Sequence, residues 1–174
     1  MADDTIAGPV EVVVVDDHPV VRQGLRTLLA SAGITVTGEA ADGQQAIRVV
    51  GEVAPDVVIM DLAMPVMNGI EATRRILAQS PHVAVLVVSM ADDHESVFAA
   101  LRAGARGYVL KGTDPADLVR AVQSVAHGDA VFGPDLADQV LAYFAHPPRT
   151  PTAVFPELTA REREVLAAWH ARVT

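Results

Sequence analysis

The sequence predicts an α/β fold of the flavodoxin-like type: a doubly wound parallel (βα)5 sheet with strand order 2-1-3-4-5 and extra C-terminal helices. Three observations indicate this fold. Short apolar runs alternate with stretches of helical periodicity throughout residues 10–128, which is typical of parallel strands with helices on both faces. The runs are rich in β-branched residues, as expected of strands buried on both faces. Polar residues directly follow several runs, where open α/β sheets bind ligands.

The elements follow in chain order. Predicted strands cover residues 10–15, 34–39, 57–60, 83–88 and 106–110. Apolar residues at helical spacing follow each strand, and these helices are expected to end near Gly33, Pro55, Ser80, Gly104 and Gly128, because Gly and Pro terminate helices. Asp92-Asp93 and Asp114 stand where N-cap residues are expected.

The pattern changes after residue 128. Residues 129–145 form an extra helical segment, in which 130–132 are a short apolar link and 134–144 predict a helix. Residues 146–157 are proline-rich and predict a semi-rigid linker. In residues 158–174, Thr159 and Glu162 fit a capping box at the start of another helix. Residues 1–9 read as a polar lead-in.

Composition narrows the classes of function. The 174 residues carry a formal net charge of −9, which argues against a chain whose main work is binding nucleic acid or an anionic membrane. The absence of cysteine excludes disulfides, thiolate metal sites and a cysteine nucleophile. The N-terminus lacks the features of a signal peptide, and no apolar run is long enough to span a bilayer. We therefore expect a cytoplasmic protein with no membrane partner.

Polar residues mark the carboxyl ends of four predicted strands. They are Asp16 and Asp17 after the first, Asp61 after the third, Ser89 after the fourth and Lys111, the single lysine, after the fifth. Strands one and three are neighbours in the order 2-1-3-4-5, so the three carboxylates are expected to converge. Close carboxylates repel unless a cation joins them, and an oxygen-only cluster suits Mg²⁺.

This combination of groups suits phosphoryl transfer. A metal-held aspartate is a good nucleophile toward phosphorus, and Mg²⁺ with a lysine would neutralise the transferring oxygens. A serine hydroxyl nearby could donate to the attached group. Taken singly, each residue reads as a helix cap, a loop residue or a turn residue. Their conjunction at matching strand ends favours a functional site.

The segments that hold these residues resemble the receiver domains of two-component response regulators, within the NarL/FixJ (LuxR-type) class. The matching segments are VVVVDDHPVVRQGLRTLL, PDVVIMDLAMPVMNGIEATRRI, VVSM and ALRAGARGYVLKG. The resemblance spans residue 10 to the end of the extra helical segment.

The resemblance implies that Asp61 accepts a phosphoryl group from a histidine kinase, as a phosphoacceptor rather than a turnover enzyme. It implies that Mg²⁺ is held by Asp16, Asp17, Asp61 and the backbone carbonyl of Ala63. Lys111 would then pair with the phosphoryl group.

The resemblance also implies a switch. Ser89 would be the switch hydroxyl and Tyr108 the switch aromatic, which turns inward as Ser89 moves toward the phosphoryl oxygens. The surface around the fourth helix, fifth strand and fifth helix would then repack and change a possible homodimer. Without the resemblance, Tyr108 reads as an ordinary half-buried strand residue.

The tail FPELTAREREVLAAW resembles the first helix of a LuxR-type helix-turn-helix domain. In that family a recognition helix follows, and this sequence does not contain one. We therefore expect an incomplete domain, with DNA bound only through the missing part of a full-length parent. Two explanations stay open: a truncated transcription regulator, or a naturally shortened, DNA-binding-deficient competitor for phosphoryl groups or partners.

Three other classes stay as alternatives. A phosphatase with an aspartyl-phosphate intermediate usually has an acid two residues after its nucleophile, where this sequence has Ala63. A nucleotide-binding flavodoxin-type protein would need a glycine-containing turn after the first strand, and here that turn is acidic. A phosphorylation-independent interaction scaffold normally has a broken acidic pocket. Mg²⁺ binding would separate the last two classes from a working receiver.

Overall fold

The computed structural model describes residues 8–146 of the chain. Most of the predicted lead-in, most of the predicted proline-rich linker and the whole of the predicted final helix lie outside the described residues. None of the helices in residues 8–146 combines the length and the apolar composition that a bilayer span requires.

The described chain forms one parallel sheet of six strands in the order β2-β1-β3-β4-β5-β6. The strands are β1 Glu11–Val15, β2 Thr35–Ala40, β3 Val57–Met60, β4 Ala84–Ser89, β5 Gly107–Leu110 and β6 Val131–Phe132. The helices are α1 Pro19–Ser31, α2 Gly43–Val53, α3 Gly69–Gln79, α4 His94–Arg102, α5 Pro115–Ala126 and α6 Pro134–Ala145. The predicted flavodoxin-like fold and its strand order are confirmed, and α6 is the predicted extra helix.

The sixth strand is the main difference from the prediction. The sequence predicts a link at residues 130–132, but Val131 and Phe132 pair with Gly107 and Tyr108 of β5. A strand of two residues is too short to show periodicity. Gly107 makes this close pairing possible, because a Cβ atom there would lie 2.8 Å from both the Val131 carbonyl oxygen and Leu86 Cδ1.

The core lies on both faces of the three central strands. Every residue of β3 and β4 is buried, and in β1 only the first residue is exposed. This explains why their sequences are continuous apolar runs rather than alternating ones. The helices cover the sheet with apolar side chains such as Leu29, Ile76 and Val122. Burying each of these stabilises the fold by about 1.5–3 kcal/mol.

Helix starts are fixed by polar caps at the same edge of the sheet. Asn68 Oδ1 accepts a hydrogen bond from Glu71 N, and Asp93 Oδ2 accepts one from Ser96 N, both at 2.9 Å. Asp114 Oδ1 likewise accepts a hydrogen bond from Ala116 N. The caps expected at Asp93 and Asp114 are therefore present. They anchor the loops that follow the strands.

The chain divides into two compact units, residues 1–137 and 138–174. The first unit holds the sheet and helices α1 to α5. The described part of the second unit is the end of α6 and His146, where Leu141 and Phe144 are exposed.

The loop between β3 and α3 contains a strained valine. Val66 has φ of 67°, which is unusual for a β-branched residue. It is the central residue of a γ-turn, since Met67 N donates to the Pro65 carbonyl at 2.7 Å. A γ-turn with positive φ is rare and strained. The Val66 side chain is 78% exposed, so little packing offsets the strain.

We expect Val66→Gly to raise the free energy of unfolding by about 1 kcal/mol, because relief of 1–3 kcal/mol of strain exceeds the added entropy of a glycine. Urea denaturation measures this change. Val20 is the matched control, because it is 81% exposed and lies in the first turn of α1. There the same substitution should lower stability by about 0.5–1 kcal/mol. Equal losses in both variants would contradict strain at Val66.

Candidate functional site

Three carboxylates meet at the carboxyl edge of the sheet. The last residues of β1 and β3, Val15 and Met60, are register partners, so Asp16 and Asp61 leave the sheet at the same level. One ligand atom from each of Asp16, Asp17, His18 and Asp61 lies within 4.8 Å of the others. Asp16 and Asp61 are 2% and 4% exposed. The structure therefore holds two nearly buried carboxylates side by side.

Lys111 is the cation between these carboxylates. Its Nζ lies 2.7 Å from Asp16 Oδ2 and 3.5 Å from Asp61 Oδ1. The Lys111 backbone N–H donates to the Ser89 carbonyl at 3.0 Å, which fixes the end of β5 against the end of β4. The ion pairs of Lys111 Nζ limit the repulsion that two buried carboxylates would otherwise produce.

The pKa values of the two carboxyl groups are shifted in opposite directions. Burial acts to raise the pKa of Asp16, but hydrogen bonds from Lys111 and His18 and the Lys111 charge together hold this pKa below its usual value. Burial and the nearby Asp16 charge raise the pKa of Asp61, and Lys111 offsets them only in part. Burial also acts to lower the pKa of Lys111, but the contacts with Asp16 and Asp61 raise it overall. Lys111 therefore interacts more strongly with Asp16 than with Asp61.

The loop after β3 holds the Asp61 backbone from two sides. Asp61 N donates to the Val15 carbonyl at 2.9 Å, and Gly69 N donates to the Leu62 carbonyl at 3.0 Å. A Cβ atom on Gly69 would collide with the Asp61 carbonyl oxygen and lie 2.9 Å from its carbonyl carbon. The first residue of α3 must therefore be a glycine. Thr73 Oγ1 donates to the Gly69 carbonyl at 2.7 Å and keeps this helix start in place.

Ser89 and Tyr108 are joined through Ala91. Ser89 is 2% exposed, and its Oγ accepts a hydrogen bond from Ala91 N at 3.1 Å. The Tyr108 hydroxyl donates to the Ala91 carbonyl at 2.6 Å. Burial raises the pKa of Tyr108, and the nearby Ser89 hydroxyl acts to lower it. The Tyr108 side chain is fully buried, so in this structure it already faces inward, and it is not the half-buried residue that the strand pattern alone suggests.

Two residues that contact Asp16 or Asp17 are not among the predicted site residues. His18 Nδ1 lies 3.1 Å from Asp16 Oδ1 and 2.9 Å from Asp17 Oδ1. Arg22 donates from a guanidinium nitrogen to the Asp16 carbonyl at 2.6 Å. The sequence pattern indicates only a break between strand and helix at His18-Pro19. The position of His18 directly after two aspartates, with Arg22 one helical turn later, was the available signal.

The acidic cluster fits a divalent cation. Asp17 Oδ1 is buried and accepts no hydrogen bond, because the nearby His18 nitrogen does not have hydrogen-bond geometry toward it. A buried unpaired oxygen costs about 1–3 kcal/mol, and a cation would satisfy it. Carboxylate oxygens are the ligands that Mg²⁺ prefers. Ala63 lies two residues after Asp61 in the exposed loop, and its carbonyl stays a predicted ligand.

The chain is similar to known signalling proteins along most of its length. The family model for the response regulator receiver domain matches residues 12–123. The chain is 36% identical over 159 residues to the nitrate/nitrite response regulator protein NarL of Escherichia coli (strain K12), covering 91% of this chain and 74% of NarL. It is 40% identical over 157 residues to the uncharacterized transcriptional regulatory protein YhcZ of Bacillus subtilis (strain 168), covering 90% of this chain and 73% of YhcZ.

Solved structures agree with these matches. A two-component response regulator of the LuxR family from Aurantimonas sp. SI85-9A1 superposes with a TM-score of 0.75 at 38% identity, covering 80% of this chain and all of that chain. The response regulator ChrA of a heme-sensing two-component system superposes with a TM-score of 0.64 at 34% identity, covering 96% of this chain and 78% of ChrA.

The opposite pKa shifts predict opposite effects of neutralising the two buried carboxylates in chelator-treated protein. The raised pKa of Asp61 means that its ionised form destabilises the fold at neutral pH. We expect Asp61→Asn to raise the free energy of unfolding at pH 7 by an amount on the order of 1 kcal/mol. This gain should vanish at acid pH, below the unfolded-state pKa of an aspartate, where the carboxyl group is protonated in both states.

Asp16→Asn should do the reverse. The lowered pKa of Asp16 means that its charge stabilises the fold above the unfolded-state pKa and that this is lost as pH falls through the folded-state pKa. Urea denaturation between pH 3 and pH 8 follows both variants. Asp129→Asn, at an exposed position, is the charge-matched control and should stay within about 0.5 kcal/mol of the parent. Similar curves for the Asp61 and Asp16 variants would contradict the assignment of the shifts.

Proposed function

The chain belongs to the response regulator receiver family, of the NarL and LuxR type, and we propose that Asp61 is its phosphoryl acceptor. One observation carries this proposal: the buried Asp61 carboxylate lies beside a second buried aspartate and within 3.5 Å of the single lysine. A group transferred to Asp61 would meet a cation site on one side and Lys111 on the other.

The proposed reaction is a direct transfer to a carboxylate oxygen. An Asp61 oxygen attacks phosphorus, the bond between phosphorus and the donor breaks, and its electron pair leaves with the donor. Asp16, Asp17, Asp61 and the Ala63 carbonyl would hold Mg²⁺, which when bound supplies neutralisation of the charge on the phosphoryl oxygens. Lys111 Nζ holds another of these oxygens and turns away from Asp16 to do so.

Receiver domains of two-component systems take part in signalling with histidine kinases, and we propose a kinase phosphohistidine as the donor. Asp61 is itself modified in the reaction, and the protein returns to its starting state only when the acyl phosphate is hydrolysed. We therefore propose a signalling phosphoacceptor rather than a turnover enzyme.

The switch that we propose runs through Ala91. The phosphoryl oxygens on Asp61 attract the Ser89 hydroxyl, which now accepts from Ala91 N. Releasing Ala91 loosens the loop before α4 and breaks the hydrogen bond between the Ala91 carbonyl and Tyr108. Since Tyr108 is already buried, the change is an exchange of hydrogen bonds rather than an inward rotation. We propose that the surface formed by α4, β5 and α5 repacks as a result and that this surface is the homodimer interface.

We propose a transcription-regulating output for this switch. The similarity to NarL covers 91% of this chain and therefore extends beyond the family match to the receiver domain. This supports the proposal that residues 158–174 begin a LuxR-type helix-turn-helix domain, through which any DNA would be bound. A cytoplasmic location is the corresponding proposal.

We expect acetyl phosphate with Mg²⁺ to add one phosphoryl group to the full chain, because the carboxylate, the cation site and the lysine are all present. Intact-mass spectrometry measures the addition. Asp61→Asn should gain none, because the amide is not a nucleophile toward phosphorus. Asp129→Asn is the matched control at an exposed aspartate and should be labelled like the parent. A phosphoryl group retained on the Asp61→Asn protein would overturn the assignment.

We expect Lys111→Ala to retain part of the labelling but to lose the response, because Lys111 Nζ contacts Asp61 yet is not the attacking group. Sedimentation analysis with and without acetyl phosphate measures the phosphorylation-dependent change in the monomer–dimer balance. A shift in Lys111→Ala equal to that of the parent would show that another group reads the phosphoryl charge.

A further inference from the structure

His18 occupies the N-cap position of α1 but caps nothing, since its side chain makes no cap hydrogen bond. Residues with a short side-chain oxygen are preferred at this position because they accept from free N–H groups of the first turn. Asp42, Asn68 and Asp93 do so at the starts of α2, α3 and α4. The His18 imidazole instead lies against the carboxylates of Asp16 and Asp17.

His18 Nδ1 and Asp16 Oδ1 are at hydrogen-bond distance, and the spacing of these atoms also suits neighbouring ligands around one cation. His18 Nδ1 lies 3.1 Å from Asp16 Oδ1 and 2.9 Å from Asp17 Oδ1. Adjacent ligand atoms in an octahedral shell with bonds of about 2.1 Å are themselves separated by about 3.0 Å. One imidazole N–H cannot serve both carboxylates, and Asp17 Oδ1 is left buried without a hydrogen bond. A shared cation would satisfy this oxygen and use the nitrogen lone pair.

We propose that His18 Nδ1 is an additional ligand of the divalent cation in the acidic pocket and selects first-row transition-metal ions over Mg²⁺. The inference rests on the proposed function, since it takes the pocket of Asp16, Asp17 and Asp61 as the cation site. Imidazole is a favoured ligand of ions such as Ni²⁺ and Zn²⁺, whereas Mg²⁺ prefers oxygen. The His18 side chain is 66% exposed, so it is free to adjust to an ion.

Any carboxylate site prefers Ni²⁺ to Mg²⁺ to some degree. The experiment therefore measures how much of the preference for Ni²⁺ is lost when the His18 imidazole is removed. The full chain, without a polyhistidine tag, is titrated at pH 8 with Ni²⁺ and with Mg²⁺ by isothermal titration calorimetry. His18→Ser removes the imidazole and leaves a residue suited to the N-cap. His82→Ser is the matched control, because His82 is exposed in the loop between α3 and β4.

We expect His18→Ser to weaken Ni²⁺ binding at least about tenfold and to change Mg²⁺ binding less than about twofold, since Mg²⁺ gains little from a nitrogen ligand. His82→Ser should change neither. Mn²⁺ gives a second readout, because electron spin echo spectroscopy detects a directly coordinated nitrogen. This nitrogen signal should be present in the parent and absent in His18→Ser.

Equal weakening of both ions, no change for either, or tighter Mg²⁺ binding in His18→Ser would overturn the proposal. The last result would identify the imidazole as a competitor of the cation. Failure of the proposed function looks different: Asp17→Asn would then bind both ions like the parent, and Asp61 would gain no phosphoryl group from acetyl phosphate. Normal labelling of Asp61 with an unchanged Ni²⁺ affinity in His18→Ser would reject His18 alone.

Discussion

The burial of two carboxylates at the ends of neighbouring parallel strands is the constraint on which the site depends. Asp16 and Asp61 are held at one level by the register of β1 and β3, and both are nearly buried. Lys111 relieves this repulsion unequally, with a short contact to Asp16 and a longer one to Asp61. The negative charge of Asp61 is consequently less well compensated than that of Asp16. This imbalance supports the proposals that the site binds a cation and that Asp61 accepts a phosphoryl group.

The sequence predicts most of the fold because the central strands are buried on both faces. Runs such as Val12–Val15 and Val57–Met60 have no polar positions, and this composition is distinctive. The sequence does not predict β6, because this strand depends on a tertiary contact. Val131 and Phe132 form a strand only through their pairing with β5. The strain at Val66 could not be predicted either, because a valine in the sequence gives no indication of a positive φ.

The site was predictable at the level of strand ends and less so at the level of contacts. Alternation and strand order bring Asp16, Asp61 and Lys111 to one edge without any knowledge of side-chain geometry. They do not reveal which carboxylate the lysine favours, or that the His18 imidazole turns away from its helix. Such details depend on rotamers and distances of a few ångströms, which a one-dimensional pattern does not specify. Tyr108 illustrates the same limit, because its burial comes from the elements packed around it.

The two residues of β6 have a consequence for where this domain ends. They cover Gly107 and Tyr108 on the outer side of β5, and Val131 N donates to the Arg106 carbonyl at 3.1 Å. A chain cut after Gly128, where the strand–helix alternation stops, would leave the outer backbone groups of Gly107 and Tyr108 without these partners. Unpaired backbone groups at the edge of a sheet are a template for pairing with another chain. The segment that completes the backbone pairing of β5 therefore extends past the fifth helix, through Gly133. Tyr108, the aromatic residue of the proposed switch, is held by its backbone to this segment.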